Sequence, residues 1–191
     1  MFNEQFARAV VAERGHDRDL KVRATAILHV DETALDVRPV EISDIDRLAR
    51  MFARLSRESV RFRYFSPIRR LPRPMLLRLA DVDHCRRDAL AALDGDEIVA
   101  VARYDEMRDP VQPGARDAEI AITVEDAWQH RGIGLRLARR LCVIARDRGY
   151  DALVARILPE NRAALGLVRE LAPDASVRLA GGEYEARFPL R

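Results

Sequence analysis

Between Gln129 and Leu135 the chain reads Gln-His-Arg-Gly-Ile-Gly-Leu, two glycines one residue apart, directly before an amphipathic run. Glycine at such a place lets backbone approach a partner closely, because no Cβ stands in the way. The run that follows sets Leu137, Leu141 and Ile144 on one side against Arg136, Arg140 and Asp147 on another, the pattern of a docked helix. The first N–H groups of a helix lack internal partners and lie at the positive end of its dipole. A turn built this way binds phosphate through its amides, and Arg131 can add a charge-assisted contact. Two commoner phosphate loops do not fit. A dinucleotide fingerprint needs glycine at 137, where Leu137 stands; a Walker loop needs Lys and Ser or Thr after Gly134, where Leu135 and Arg136 follow. What remains is Gln-x-x-Gly-x-Gly; close packing of the helix explains such a glycine pair equally well, and the firmly docked helix that follows favours the phosphate reading.

The elements around this turn are legible. "AEIAITV" reads as a strand whose nearly unbroken apolar run predicts burial on both faces. The helix runs to Arg148, with Gly149 placed to cap it. "DALVARIL" is a further strand and "ENRAALGLVREL" a further helix, so residues 118 to 158 form a right-handed parallel crossover. Upstream, "LDVRPV" is a strand, and Ser43 or Asp44 can cap a helix striped by Ile45, Leu48, Met51, Phe52 and Leu55. "SVRFRYFSPIRRLPRP" is aromatic, basic and broken by three prolines, and the helix "PMLLRLADV" follows it, with Pro74 in its first turn. "ALAALDGDEIVAVARY" is a hairpin about an Asp-Gly turn, "DEMRDPVQPGARD" a loop, and the chain ends in a hairpin around Gly181 and Gly182. Residues 1–35 form an arm: a short helix with Phe2, Phe6 and Val10 on one side, then an alternating strand in "KVRATAILHV". After the arm the order is β-α-α-β-β-β-α-β-α-β-β, a mixed α/β (α+β) sheet covered by helices.

Composition narrows the class. A chain of 191 residues with 48% hydrophobic and 34% charged residues is one domain, or one domain with an appendage. A formal charge of +2 gives no case for nucleic acid or membrane, and no run of 18 apolar residues predicts a membrane span. Glu4 and Arg8 interrupt the N-terminal apolar run, which therefore reads as no signal peptide. Cys85 and Cys142 match no metal spacing, so a reduced cytoplasmic protein without a metal is expected. Lys21 is the only lysine; every other basic residue is arginine.

"WQHRGIGLRLARRLCVIARDRG", preceded by "AEIAITV" and followed by "PENRAALGLVREL", resembles the acetyl-CoA-binding core of the GNAT superfamily of N-acetyltransferases. "RFRYFSP", "VDHCRRDALAAL", "IVAVARY" and "AEIAITVEDAWQHRGIG", in this order, resemble the acetyltransferase domain of bacterial protein lysine acetyltransferases of the Pat type. The resemblance covers about residues 36 to 172 and assigns 36–191 to the catalytic domain. It implies a GNAT-like, mostly antiparallel central sheet with helices on both faces. Pat-type enzymes join this domain to a larger regulatory one, and the arm is too short to be that.

The resemblance also implies a site. The amides of Gln129, His130, Arg131, Gly132, Ile133, Gly134 and Leu135 would hold the pyrophosphate of acetyl-CoA, the acyl-donor substrate. The backbone of Ile122, Thr123 and Val124 would pair with the pantetheine arm like an added strand. Asn161 matches a cofactor-contacting position, and an N-cap is the plainer role for it. Acetyl transfer needs a base, since only about 1 in 2,500 lysine side chains is neutral at pH 7. Glu119, the single carboxylate in "AEIAITV", is the expected base, acting directly or through a water; the alternative is an edge carboxylate bound to arginine. Amides near Val124 would stabilise the oxyanion. The helix after Asn161 lacks the tyrosine that protonates the thiolate in many GNAT enzymes, and Tyr184 lies elsewhere. His130 is as well explained as an exposed loop residue, His84 and Cys85 as structural, Trp128 as a packing anchor, Cys142 as a core residue, and the arginines of "RFRYFSPIRR" as a solvated face that could steer an acidic partner. The acceptor implied is a lysine on a protein. A small-molecule amine acetyltransferase and a non-catalytic acyl-CoA sensor are the rivals, and a homodimer is left open.

Overall fold

The computed structural model describes residues 25–30 and 32–190. The short helix expected near Phe2, Phe6 and Val10 lies outside them. The strands are β1 (Ala26–Val30), β2 (Thr33–Pro39), β3 (Arg87–Asp94), β4 (Glu97–Glu106), β5 (Asp117–Val124), β6 (Ala152–Ile157), β7 (Ser176–Ala180) and β8 (Glu183–Pro189). The helices are α1 (Ile45–Arg54), α2 (Arg57–Tyr64), α3 (Arg73–Ala80), α4 (Ile133–Asp147) and α5 (Arg162–Leu171). The strands form one sheet in the order β1-β2-β3-β4-β5-β6-β8-β7. All neighbours are antiparallel except β5 and β6, which are parallel across the α4 crossover. No helix among the described residues is long and apolar enough to cross a membrane.

Each face of the sheet carries its own core, as the two-residue period of strands requires. Leu90 and Ala92 of β3 point to one face, where Leu137, Leu141 and Ile144 of α4 pack, all nearly or wholly buried. Ala89, Ala91 and Leu93 point to the other, against Leu48, Met51 and Phe52 of α1 and Leu76 and Ala80 of α3. A left-handed Gly95 (φ +57°) opens the two-residue loop between β3 and β4. Gly149 (φ +78°) follows α4 as its spacing predicts.

Four expectations are corrected. First, the proline-broken stretch contains α2. The side chain of Ser56 accepts the Ser59 N–H at 3.1 Å, Glu58 lies in the first turn, and Arg61 and Arg63 lie in the last. All three prolines come after the helix ends at Phe65, which is left-handed (φ +56°). Second, Asp44 does not cap α1 through its side chain. It ends a 3₁₀ turn (Ile42–Asp44), and its buried carboxylate accepts the Glu41 N–H and two N–H groups of Arg38 at 2.7 Å. Third, the arm is not separate from the sheet. A boundary at residue 35 cuts β2, where Leu35 is fully buried, and β1 pairs along β2 from Ala26 to Val30. Arg136 and Arg140 of α4, expected on its outer side, donate to the carbonyls of His29 and Thr25.

Fourth, β5 is not buried along its length: only its first half is covered, and Ala121 to Val124 are partly exposed. The reason is the sheet itself. β5 and β6 pair at Asp117–Ala152, Ala118–Leu153 and Glu119–Val154 and then part, while β6 continues beside β8 to Ile157. An ion pair closes the joined end. Asp117, fully buried, accepts two N–H groups of Arg187 on β8, each at 2.9 Å, across the width of β6.

Removing one partner of such a pair leaves a buried charge uncompensated. Arg187→Met is therefore expected to lower unfolding stability by about 3–5 kcal/mol, read from urea denaturation. An unchanged midpoint would show that water reaches Asp117.

Candidate functional site

The parting of β5 from β6 leaves a strand edge to be satisfied. Glu125 N–H donates to Val99 O at 2.8 Å and Met107 N–H to Asp117 O at 2.9 Å. These two bonds set the phase of the antiparallel ladder, so odd-numbered residues of β5 bond to β4. The N–H groups of Ile122 and Val124 therefore point into the gap left by β6. Thr123 is different from the expectation. Its backbone belongs to the β4 ladder, and its side chain lines a cleft on the opposite side of the sheet from α4.

The chain leaving β5 is held rigidly. Gln129 donates from Nε2 to Val124 O and to Ser59 Oγ, each at 3.1 Å. Asp126 accepts the Ser56 N–H and the Ser59 hydroxyl, both at 2.9 Å. Burial opposes its charge, but these bonds from Ser56 and Ser59 hold its carboxyl below the usual range. Arg54 binds Glu125 at 2.8 Å and Glu97, tying α1 to the same turn. Ser56 and Ser59 thus fix the N-terminus of α2 to the residues that follow β5. Sequence reasoning passed over them because the whole stretch was read as irregular.

His130 (φ +61°) and Gly132 (φ +74°) are both left-handed, and α4 begins at Ile133. Alternating handedness turns successive N–H groups to one side, a concavity suited to an anion. No described hydrogen bond uses the N–H of Ile133, Gly134 or Leu135. The two glycines play different parts. A Cβ at Gly132 would meet nothing within 4 Å, so its requirement is conformational. A Cβ at Gly134 would lie 3.3 Å from Leu167 Cδ1 and 3.5 Å from Ile122 and Val124 methyls, so Gly134 lets α4 seat against β5 and α5. The packing role holds for Gly134, and the conformational one for Gly132. His130 is exposed, and Arg131 stacks its guanidinium 5.1 Å from the centre of the Trp128 ring. Trp128 packs on the main core.

Glu119 shares a face with Ala121 and Thr123, at the last paired position before the strands part. Its side chain is 42% exposed, not buried as its strand suggested. Arg156 of β6 lies 4.0 Å from it, an exposed ion pair worth little to stability. The arginine partner considered at the outset is thus present. Its signal was an arginine in the otherwise apolar "DALVARIL". Beside Glu119, a cleft of about 40 Å³ runs between the sheet and α1–α3, lined by Tyr64, Arg63, Arg103, Ala121 and Thr123 among others. Burial pushes the Tyr64 hydroxyl up and the Arg103 guanidinium down from their ordinary values. Neither residue was singled out from the sequence.

The remaining candidates are accounted for locally. Asn161 Oδ1 accepts the Ala164 N–H at 3.0 Å, which makes it the N-cap of α5. Tyr184 lies opposite Ile157 and packs with Val168 and Ala186, on the other side of the sheet from Glu119. His84 Nδ1 is 2.8 Å from Asp88. Burial pushes the Cys142 thiol up to about 11, as befits a core residue. Among the described residues no cluster of His, Cys, Asp or Glu could hold a metal ion.

Residues 52–172 match the family model described as the acetyltransferase (GNAT) family. The chain belongs to this family. An acetyltransferase of Pseudomonas aeruginosa is 29% identical over 153 residues, 75% of this chain and 80% of that protein. The acetyltransferase Pat of Mycolicibacterium smegmatis is 33% identical over 131 residues, 66% of this chain but 37% of that longer protein. Among solved structures, the GNAT domain of S. lividans PAT superposes with a TM-score of 0.79 at 29% identity, covering 86% of this chain and 96% of that one. An acetyltransferase from Salmonella typhimurium, solved with acetyl-CoA, has the same fold (TM-score 0.65, 18% identity, 82% of this chain and 94% of that one). The matched GNAT segment begins in α1 and ends just after α5, so it contains the parted strands, the Gly132 turn and Asn161. This protein is thus an acetyltransferase whose domain resembles the Pat type.

A larger side chain at Gly134 would force α4 from its seat. Gly134→Val is expected to cost about 1–3 kcal/mol in thermal unfolding, whether or not any ligand is present. Wild-type stability in that variant would show that Leu167 yields and that the packing role is dispensable.

Proposed function

We propose that the chain transfers the acetyl group of acetyl-CoA to the side-chain amine of a lysine on a protein. One observation carries the reading: the N–H groups of Ile122 and Val124 face a gap that runs from Glu119 to the left-handed turn at Gly132. A pantetheine arm has amides that can pair with such an edge, and a pyrophosphate fits the amides from His130 to Leu135. Arg131 stands beside that turn on the exposed side. Asn161 caps α5 across the gap and has a second polar group for the cofactor.

In this reading the amine nitrogen attacks the thioester carbon while Glu119, directly or through a water, takes its proton. The Val124 N–H donates to the oxygen of the tetrahedral intermediate. The C–S bond then breaks and the thiolate of CoA departs. Tyr184 packs on the other side of the sheet and is not assigned as an acid. The exposure of Glu119 suits a base that must meet a large acceptor, and Arg156 holds its carboxylate beside the gap. The Pat-type resemblance supports a protein lysine over a small amine. The free thiols of Cys85 and Cys142 fit a reducing cytoplasm, and the catalytic domain is taken to extend upstream of the expected 36–191 to include β1 and all of β2.

Two variants test this. Gly132→Asp places a carboxylate at the start of α4, where it repels a phosphate; Gly132→Asn, which carries the same left-handed strain (φ +74°) without the charge, is the reference for it. Calorimetry should show at least a roughly tenfold loss of acetyl-CoA affinity with the fold retained. Undiminished affinity would remove the anion site. Glu119→Gln should bind acetyl-CoA as wild type does yet turn over about 10²-fold more slowly at pH 7. The deficit should narrow as pH rises toward about 10, where lysine is neutral without help. Wild-type turnover at pH 7 would refute the base, and a preference for free polyamines over proteins would make a small amine the acceptor.

A further inference from the structure

Among the described residues most arginines are answered by carboxylates, for example Arg47 by Asp96, Arg50 by Glu97, Arg54 by Glu125, Arg116 by Glu106 and Arg187 by Asp117. The stretch from Arg57 to Arg78 is less well answered: Arg61 meets Glu160 and Arg78 meets Asp105, both from outside it. It holds seven arginines against one carboxylate, Glu58. Arg69, Arg70 and Arg73 are exposed and make no ion pair among the described residues. Their placement is not rewarded locally. Arg73 opens α3, whose first turn contains no acidic residue, so a cation sits at the positive end of the helix.

The position of this stretch relates it to the cleft. α2 spans the gap: Ser59 bonds Gln129 beyond β5, and Arg61 lies 3.5 Å from Glu160 beyond β6. Arg63, Tyr64, Leu71 and Leu79 line the cleft beside Glu119's face, so the loop between α2 and α3 forms its rim. Phe65 is 38% exposed on that rim, in a left-handed conformation that costs a non-glycine residue energy. Exposed aromatic and arginine side chains together are the composition of a protein-binding surface.

We propose that the loop between α2 and α3 selects acceptor proteins whose target lysine lies among acidic side chains. The inference rests on the protein-lysine reading above. Carboxylates beside a lysine hold it charged; docking them against Arg69, Arg70 and Arg73 diverts that stabilisation and eases loss of the proton to Glu119. The arginines therefore steer the acceptor and prepare its amine in one step.

The test uses a folded carrier protein with a blocked N-terminus and one exposed lysine, flanked by Asp and Glu, by Ser, or by Arg. The wild-type enzyme should acetylate the acid-flanked carrier with kcat/KM about tenfold or more above the Ser-flanked one, and 0.5 M salt should erase most of the preference, as about a 4 Å screening length implies. R69E/R70E/R73E should invert the preference toward the Arg-flanked carrier, and R69Q/R70Q/R73Q should bring it near unity. Inversion is a result that mere structural damage does not give. Equal use of the three carriers, or a preference untouched by both triple variants, overturns the proposal while sparing the lysine reading. Acetylation of polyamines but of no carrier overturns both. Single-stranded RNA that binds wild type, and is lost on charge reversal without any carrier preference, makes the rim a nucleic-acid surface instead.

Discussion

β5 and β6 pair over three residues and then part, and backbone polar groups on the β5 edge are left without a strand to meet them. A sheet interior does not ordinarily tolerate this. Here the opening is held by forces on every side of it. The Asp117–Arg187 pair fixes the joined end. Gly134 seats α4 against Ile122, Val124 and Leu167 at the open end. Gln129 reaches back to the Val124 carbonyl and across to Ser59, so the turn cannot drift from the strand it follows. Donors held in place before a ligand arrives cost no reorganisation when it does.

The two faces of the sheet divide the work. The α4 face is dry, with Leu137 and Leu141 fully buried, and it anchors the helix whose N-terminus closes the gap. The other face is packed where α1–α3 cover β2–β4 and approach Ala121 and Thr123 of β5; beyond them it carries charged pairs, Glu119 with Arg156 and Glu185 with Arg178. A carboxylate there is within reach of an acceptor too large to enter a closed pocket. The same exposure makes its ion pair weak, as the role proposed for Glu119 requires.

α2 connects these parts. Its N-terminus is bonded to the turn after β5, its far side approaches the loop after β6, and its C-terminal residues line the cleft. Position, more than chemistry, makes it important: a helix of eight residues ties the Gly132 turn, the Glu119 face and the rim of the cleft into one unit. The arginines that follow it are where the enzyme meets its acceptor in the inference above.

The local parts of this protein were determined by the sequence by itself. Gly132, Gly149 and Gly95 marked turns because only glycine takes positive φ cheaply. The leucine stripe of α4 and the hairpins are periodicities and turn signals that the chain displays in its order, and the pattern from Glu119 to Asn161 was legible only through its resemblance to a family. The parting of β5 and β6 was beyond it, since that depends on where a strand stops pairing with one distant in sequence. So were the exposure of Glu119, the choice of Gly134 rather than Gly132 for packing, the absorption of residues 26–35 into the sheet and the bridging role of Ser59. Each of these arises between residues far apart in the chain: periodicity reports which side of an element is apolar, whereas only tertiary packing decides what covers that side and what it leaves open.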